Sequence, residues 1–491
     1  MLNPVNPRRM PSPFRPPGGA FGGNQIAPTP NAAREVEGAS PLQAVAFRMA
    51  LALVFIYFSN IHQLLAYVLH VNLYLLYLFG IPALLGVVLA GGVQRTLRGR
   101  PAIYWTIFAV ILIAGVPFSS WRGGSTHALI PYFRTVFPML FVVAGVTFTW
   151  RECRSMMWAI ASGGVAIMSA AKLFQDTGGN YGDRLAIEFG TISNSNDYAV
   201  HLLFVLPFVI WVGLAAKSKA LKLAAWGLVC FGILLVLKTA SRGAFLGLAV
   251  GALYWLLRGT MRQRIGLLAL GPIMALALVA FVPRSSLVRI VAFSADEADA
   301  PGEAIASTAI REYLLKRSVV YTLQNPIFGL GFYQFRTYEG EHNQLIGDHG
   351  KWDDPHNSYT QVSSEGGIPA LAFYLAAIVS TFLLANRVYR EACKRPDCDD
   401  IRTATFCIML AIMMYCTGIF FVNFSYFFYL PFMSSLVIAI SSAADTEFAR
   451  RSSDPVETEP YAAPQRRRFP DSDRGSGLRG GRAVATTKNI L

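Results

Sequence analysis

Residues 351–370, KWDDPHNSYTQVSSEGGIPA, put Asp353, Asp354, His356 and Glu365 into one short polar run that turns directly into an apolar stretch. An imidazole whose ordinary pKa is about 6.5 can take a proton from a hydroxyl near neutral pH, and a neighbouring carboxylate orients the ring or raises its basicity. Two other readings compete with a general base. His342, His349, Asp353, Asp354 and His356 are chemically able to hold a metal, although their spacing matches no recognised ligand pattern. The run is also compatible with a plain polar loop.

Three arginines extend the chemistry. Arg242 stands in KTASRGAFLG between two apolar runs, and Arg184 in GDRLAIEFGTISNSNDYA just ahead of another. An arginine at membrane depth has a partner, either a carboxylate or a ligand phosphate. Its planar fork suits phosphate, offering two parallel bonds from an always-charged group. Arg311 lies in STAIREYLLKRSVVYTLQNPIFGLGFYQF, where Ser307 or Thr308 is expected to cap a helix with Ile310, Leu314, Leu315 and Val319 at helical spacing. Asn325-Pro326 is expected to end that helix. Arg311 then falls in the first turn, where a cation opposes the helix dipole; an external anion and an ordinary surface arginine both fit. Gly329 and Gly331 mark a tight turn rather than a phosphate loop, since no Lys-Ser/Thr follows them.

The elements that must position these residues are membrane helices. The 491 residues are 54% hydrophobic and 15% charged, with a mean hydropathy of +0.42, which indicates an integral membrane protein. Apolar windows recur at 43–59, 72–92, 101–118, 131–149, 155–173, 197–216, 222–238, 242–257, 265–283, 367–386, 404–423 and 426–442. The expected organisation is a disordered tail over 1–42, nine spans over 43–283, a large outer loop over 284–366, three spans over 367–442, and a disordered basic tail over 443–491.

The formal charge of +14 sits in short clusters between spans and in the tails, which reads as topology and argues against nucleic-acid binding. Arg95, Arg98 and Arg100, then Arg151 and Arg154, then Lys217, Lys219 and Lys222 fall on alternate sides of successive spans. That side, with both termini, is expected to be cytoplasmic. The opposite side then carries 119–130, 174–196 and 284–366, and no cysteine falls in any of the three. Disulfides are therefore not expected. The basic C-terminal tail suits contact with anionic membrane lipids or simple solvation.

Three segments together resemble the O-antigen ligase and O-antigen polymerase superfamily. PHNSYTQVSSEGGIPA is similar to the family's His-Asn motif and glycine-rich helix start: His356, Asn357, Gly366 and Gly367 match, while Ala370 stands where a second glycine is common. IREYLLKRSVVYTLQNPIFGLGFYQF resembles the arginine-led helix and Pro-x-x-Gly-x-Gly segment, and TASRGAFLG resembles the family's Ser-Arg-Gly at a helix start. RLAIEFGTISNSNDYA resembles a weaker element, and the likeness covers about Arg184 to Leu384.

The resemblance implies an all-α, GT-C-like polytopic protein of the bacterial inner membrane with a periplasmic site. It implies inverting, metal-independent transfer of a glycan from undecaprenyl diphosphate to a sugar hydroxyl on a glycan or lipid A-core acceptor, with no cofactor. Carried over, Arg184, Arg242 and Arg311 would hold the diphosphate and His356 would take the acceptor proton. Asn357, Asp353, Asp354 and Glu365 would support it. A lipid-linked sugar flippase or transporter, a protein O-oligosaccharyltransferase and a non-catalytic scaffold are the alternatives. Transport is disfavoured by span middles that are nearly uncharged.

Overall fold

The computed structural model describes residues 41–175, 184–281, 302–345 and 352–453. Most of both expected tails lies outside the described residues, as do 284–301 and 346–351, including His349. The described residues fold into helices, with no strand among them.

In chain order the helices are α1 (Pro41–Ser59), α2 (Ile61–Leu69), α3 (Leu75–Leu89), α4 (Gly92–Leu97), α5 (Arg100–Gly115), α6 (Arg122–Pro131), α7 (Met139–Val146) and α8 (Trp150–Leu173). There follow α9 (Ser195–Ala215), α10 (Lys219–Lys238), α11 (Arg242–Arg258), α12 (Met261–Phe281) and α13 (Gly302–Gln324). The last are α14 (Phe335–Leu345), α15 (Ser358–Cys393), α16 (Asp399–Gly418) and α17 (Tyr429–Ser453). Eight helical stretches among the described residues have the length and apolarity to cross a bilayer. A chain in lipid must satisfy its backbone groups internally, which is why long apolar runs become helices. The protein is an all-α polytopic membrane protein.

Element bounds depart from expectation in four places. The stretch 119–130 is not all loop: α6 starts at Arg122 and runs through a π-helical turn, Tyr132–Val136, towards α7. Helix α13 starts at Gly302, so Ser307 and Thr308 are interior residues and Arg311 lies in the third turn. Arg311 therefore lies clear of the first turn, where the helix dipole acts on a cation. Helix α15 starts at Ser358 and not at 367, because Asn357 caps it: its Oδ1 accepts from the Tyr359 and Thr360 amides at 2.9 and 3.1 Å. Helix α17 continues past 442 to Ser453.

Helix α9 is the central post, with 89% of its span buried, and it packs on α8, α10 and α16. Lipid tails are as apolar as leucine, so helices associate through close contact at small residues and through hydrogen bonds. Gly163 and Gly164 of α8 lie directly against Phe58 of α1 and Val205 of α9, and Gly247 and Gly251 of α11 against Met414 of α16. Ser434 ties three helices together, accepting from Trp105 Nε1 at 2.8 Å and sharing a 2.7 Å bond with Thr381.

Helix α15 spans 36 residues, but its backbone breaks at Gly367, where φ is 79° and ψ 177°. A Cβ there would stand 2.2 Å from the Ile327 carbonyl oxygen. The break is sealed by the Pro326–Gly331 segment. Leu330 and Gly331 amides donate to the Ser364 and Glu365 carbonyls at 2.8 and 3.0 Å, and the Ile368 amide donates to Pro326 O at 2.7 Å. The expected turn at 329–331 is thus a patch on a broken helix. Gly367→Ala is expected to lower thermal stability in detergent, with at least roughly 1–3 kcal/mol from the backbone conformation alone. Ala370→Gly, in the same helix, is expected to cost less, so equal melting temperatures for the two variants would contradict this account.

Candidate active site

Arg242, Arg311, His356 and Asn357 line one cavity of about 610 Å³, together with Leu246, Leu315 and Phe420. Each polar member is set by a different element. Arg242 is the first residue of α11, two residues after the left-handed Ala240 (φ 49°) that turns the chain out of α10. Arg311 is carried by α13, which packs along α15 and is pinned there by a 2.8 Å bond between Thr322 and Ser363.

The other flank of α13 is held by Glu339, which is fully buried. Its carboxylate accepts from Tyr313 Oη at 2.7 Å, from Arg317 Nε at 3.1 Å, and from the Tyr321 hydroxyl. Leu314, Tyr321, Leu330 and Phe335 form a small apolar core beside this polar knot. The orientation of Arg311 therefore rests on a hydrogen-bonded ion pair that no sequence spacing announces.

His356 sits at φ 52°, a left-handed conformation that costs a residue bearing Cβ on the order of 1 kcal/mol. Its neighbours enforce it. Pro355 precedes it and the Asn357 cap follows it. The next turn is bolted to 422–425: Ser358 Oγ donates to Val422 O at 2.7 Å and accepts from the Phe424 amide at 2.8 Å, while Ser425 Oγ donates to Gln361 Oε1 at 2.6 Å. Strain held this way at a cavity wall is a common mark of a working residue.

His356 also lines a second, smaller cavity of about 230 Å³, with Asn196, Asp197, Tyr333, Asp354 and Asn423. The imidazole thus stands between two cavities of different character. Asp197 shares the second one, and no motif in the sequence singles it out. Its position three residues after the Asn194 cap of α9 was the available signal.

The remaining expected residues are placed differently. Arg184 is not among the residues lining either cavity. Its Nε donates to Thr239 O and its Nη2 to Asn196 Oδ1, both at 2.9 Å, so it ties the α10–α11 corner to the start of α9. Asp353 is exposed beside the site and lines neither cavity. Glu365 is 1% exposed and accepts from the Phe335 amide at 3.1 Å, a structural tie. Gly366 packs against Ala370 and Leu112. Among the described residues no group of three or more metal-binding side chains converges.

Burial first and Arg311 second push the His356 pKa down to about 4, against the opposing pull of Asp353. Its basicity is thus set below the ordinary value near 6.5, and the ring is neutral and ready to accept a proton at neutral pH. Asp354 moves the other way: burial and Asp353 raise its pKa, against Arg336 and an Asn423 hydrogen bond. Glu312 also lines the cavity, its charge offset by Lys316 at 2.7 Å, so two cations and a neutral imidazole there suit an anionic ligand with a proton acceptor beside it.

In ¹³C,¹⁵N-histidine-labelled protein, the His356 ring is expected to stay neutral from about pH 8 down to about pH 5. Arg311→Gln is expected to raise its midpoint. A wild-type midpoint near 6.5 that the variant leaves unmoved would contradict this electrostatic picture. A histidine held neutral by burial adds stability above its unfolded pKa. That contribution is expected to be lost as pH falls from about 6.5 towards about 4.

The family model for O-antigen ligase matches residues 226–375. No curated protein matches the chain. The match starts within α10 and ends within α15, so it takes in Arg242, Arg311, His356 and the glycine patch, and leaves Arg184 outside. The match to residues 226–375 supports a place for this segment in the O-antigen ligase and polymerase superfamily.

Proposed function

We propose that the protein is a glycosyltransferase of surface-polysaccharide assembly. It moves an oligo- or polysaccharide from undecaprenyl diphosphate to a sugar hydroxyl at the periplasmic membrane face. The observation that carries this reading is the single cavity shared by Arg242, Arg311 and His356 at the ends of membrane helices. The family match supports a ligase- or polymerase-type activity in general, and the chemistry follows from the side chains.

The donor's anomeric carbon is joined to a diphosphate oxygen. As that C–O bond breaks, negative charge develops on the diphosphate, and Arg242 and Arg311 stabilise it from fixed positions in a site of low dielectric. The acceptor oxygen attacks the anomeric carbon from the opposite face, which inverts its configuration. The acceptor proton passes to the neutral ring of His356. Arg184 acts one layer back, holding the corner at which Arg242 begins α11. The smaller cavity, with its amides and carboxyls, suits the hydroxyls of an acceptor sugar.

Donor and base are coupled in this scheme. A bound diphosphate offsets the charge of Arg311, which is the main cation depressing the His356 pKa. The base therefore strengthens when the leaving group arrives, and is weak without it.

The test is complementation of a gene deletion with wild type or His356→Ala. Loss of a general base costs about 10²–10⁴ in rate, so the variant is expected in the membrane without restoring surface glycan, while lipid-linked glycan accumulates. Long stored chains identify a ligase, and single repeat units a polymerase. Full restoration by His356→Ala would sink the assignment of the base.

A further inference from the structure

A cavity of about 830 Å³ lies apart from the one beside His356. It lies among the start of α5, the 147–149 connection, the later turns of α15, and α17, and it is lined by Arg95, Arg98, Arg100 and Arg387. From Ser358 to Arg387 along α15 is roughly 40 Å at 1.5 Å per residue, so the two cavities sit near opposite membrane surfaces.

Four guanidinium groups face two carboxylates, Glu152 and Asp445, and both carboxylates are engaged. Glu152 accepts from the Phe148 and Thr149 amides at 2.8 and 3.0 Å, completing the cap of α8. Asp445 accepts from Arg387 Nη2 at 2.7 Å, and Ser441 accepts from the same nitrogen at 2.7 Å. Arg95 is fixed against the wall by two bonds to Ala144 O, at 3.0 and 2.6 Å, and lies 3.4 Å from the Phe148 ring centroid. Arg98 and Arg100 are exposed, and neither is hydrogen-bonded or ion-paired through its side chain to any described residue. Gly99 between them is pressed so closely on Ile438 that a Cβ would stand 2.7 Å from its Cδ1, which fixes both arginines at the rim.

The rest of the wall is mixed: Pro101, Leu383, Leu384 and Ile438 form an apolar strip, and Gln43, Thr147, Ser380, Ser442 and Thr446 are polar. Such a cavity is far larger than a phosphate ion, and it combines surplus positive charge with an apolar strip along α15 and α17. We infer that it holds the phosphate headgroup of an anionic glycerophospholipid, with Arg98 and Arg100 gripping the phosphate and an acyl chain lying on Leu383 and Ile438. Guanidinium groups bind phosphate oxygens in paired bonds, and the apolar strip gives the lipid an advantage over free phosphate.

Native mass spectrometry of the full-length protein in detergent, titrated with phosphatidylglycerol or phosphatidylcholine, tests this. Wild type is expected to retain phosphatidylglycerol over phosphatidylcholine, and Arg98→Gln/Arg100→Gln to bind it about tenfold or more weakly. The two arginines make no side-chain bond to the described protein, so that variant is expected to keep the wild-type melting temperature. Arg151→Gln/Arg154→Gln removes two exposed cations from the other end of the 147–149 connection without touching the cavity lining, and is expected to bind like wild type. Equal binding of the two phospholipids by wild type would overturn the inference, as would equal retention by the Arg98/Arg100 variant. An equal loss in the Arg151/Arg154 variant would reduce the effect to diffuse surface charge. Displacement by millimolar inorganic phosphate would make the occupant a free phosphate.

Discussion

A broken helix in a membrane must find partners for the backbone groups it exposes, and that requirement organises this protein. Helix α15 opens at Gly367, and the Pro326–Gly331 segment supplies amides to Ser364 and Glu365 and takes one from Ile368. The repair fixes the end of α13 against α15, because Pro326 follows that helix almost directly. Arg311 on α13 and His356 at the head of α15 are thereby locked into one frame. The glycines at 329, 331 and 367 each have positive φ, and a Cβ at any of them would meet atoms within 2.5 Å. They are constraints on the site although none of them touches its cavity.

The same frame sets the electrostatics. Burial takes water from His356 and proximity exposes it to Arg311, and both effects favour the neutral ring. A histidine in a plain solvated loop would titrate near neutrality and would be partly protonated where a base is needed. Placing it under strain at the neck between two cavities, with the Asn357 cap behind it, trades stability for a defined direction of proton transfer.

Much of this was legible in the residues themselves. Long apolar runs announce the helices whatever the packing, and Arg242 and His356 stand out because charge beside a span is costly. Other parts were hidden for physical reasons. Residues 358–366 look like loop because Gln361, Ser364 and Glu365 are polar, yet all three are buried and tied to 422–425 or 330–335. The true start of α13 is masked by Pro301-Gly302, which reads as a turn. Glu339 and Arg317 meet across two helices, a pairing with no period to detect. Arg184 has the same chemistry as Arg242 and only the fold separates their surroundings: one guanidinium spans Thr239 and Asn196, the other lines the cavity.

The central claim is that Arg242 and Arg311 hold a lipid-linked diphosphate opposite His356. An experimental map of the full chain with undecaprenyl diphosphate bound tests it most directly. The account predicts diphosphate density between the Arg242 and Arg311 guanidinium groups, with the His356 ring facing the terminal phosphate across the space for the transferred sugar. Density for the diphosphate at another site, with the cavity of Arg242, Arg311 and His356 left vacant, would contradict it.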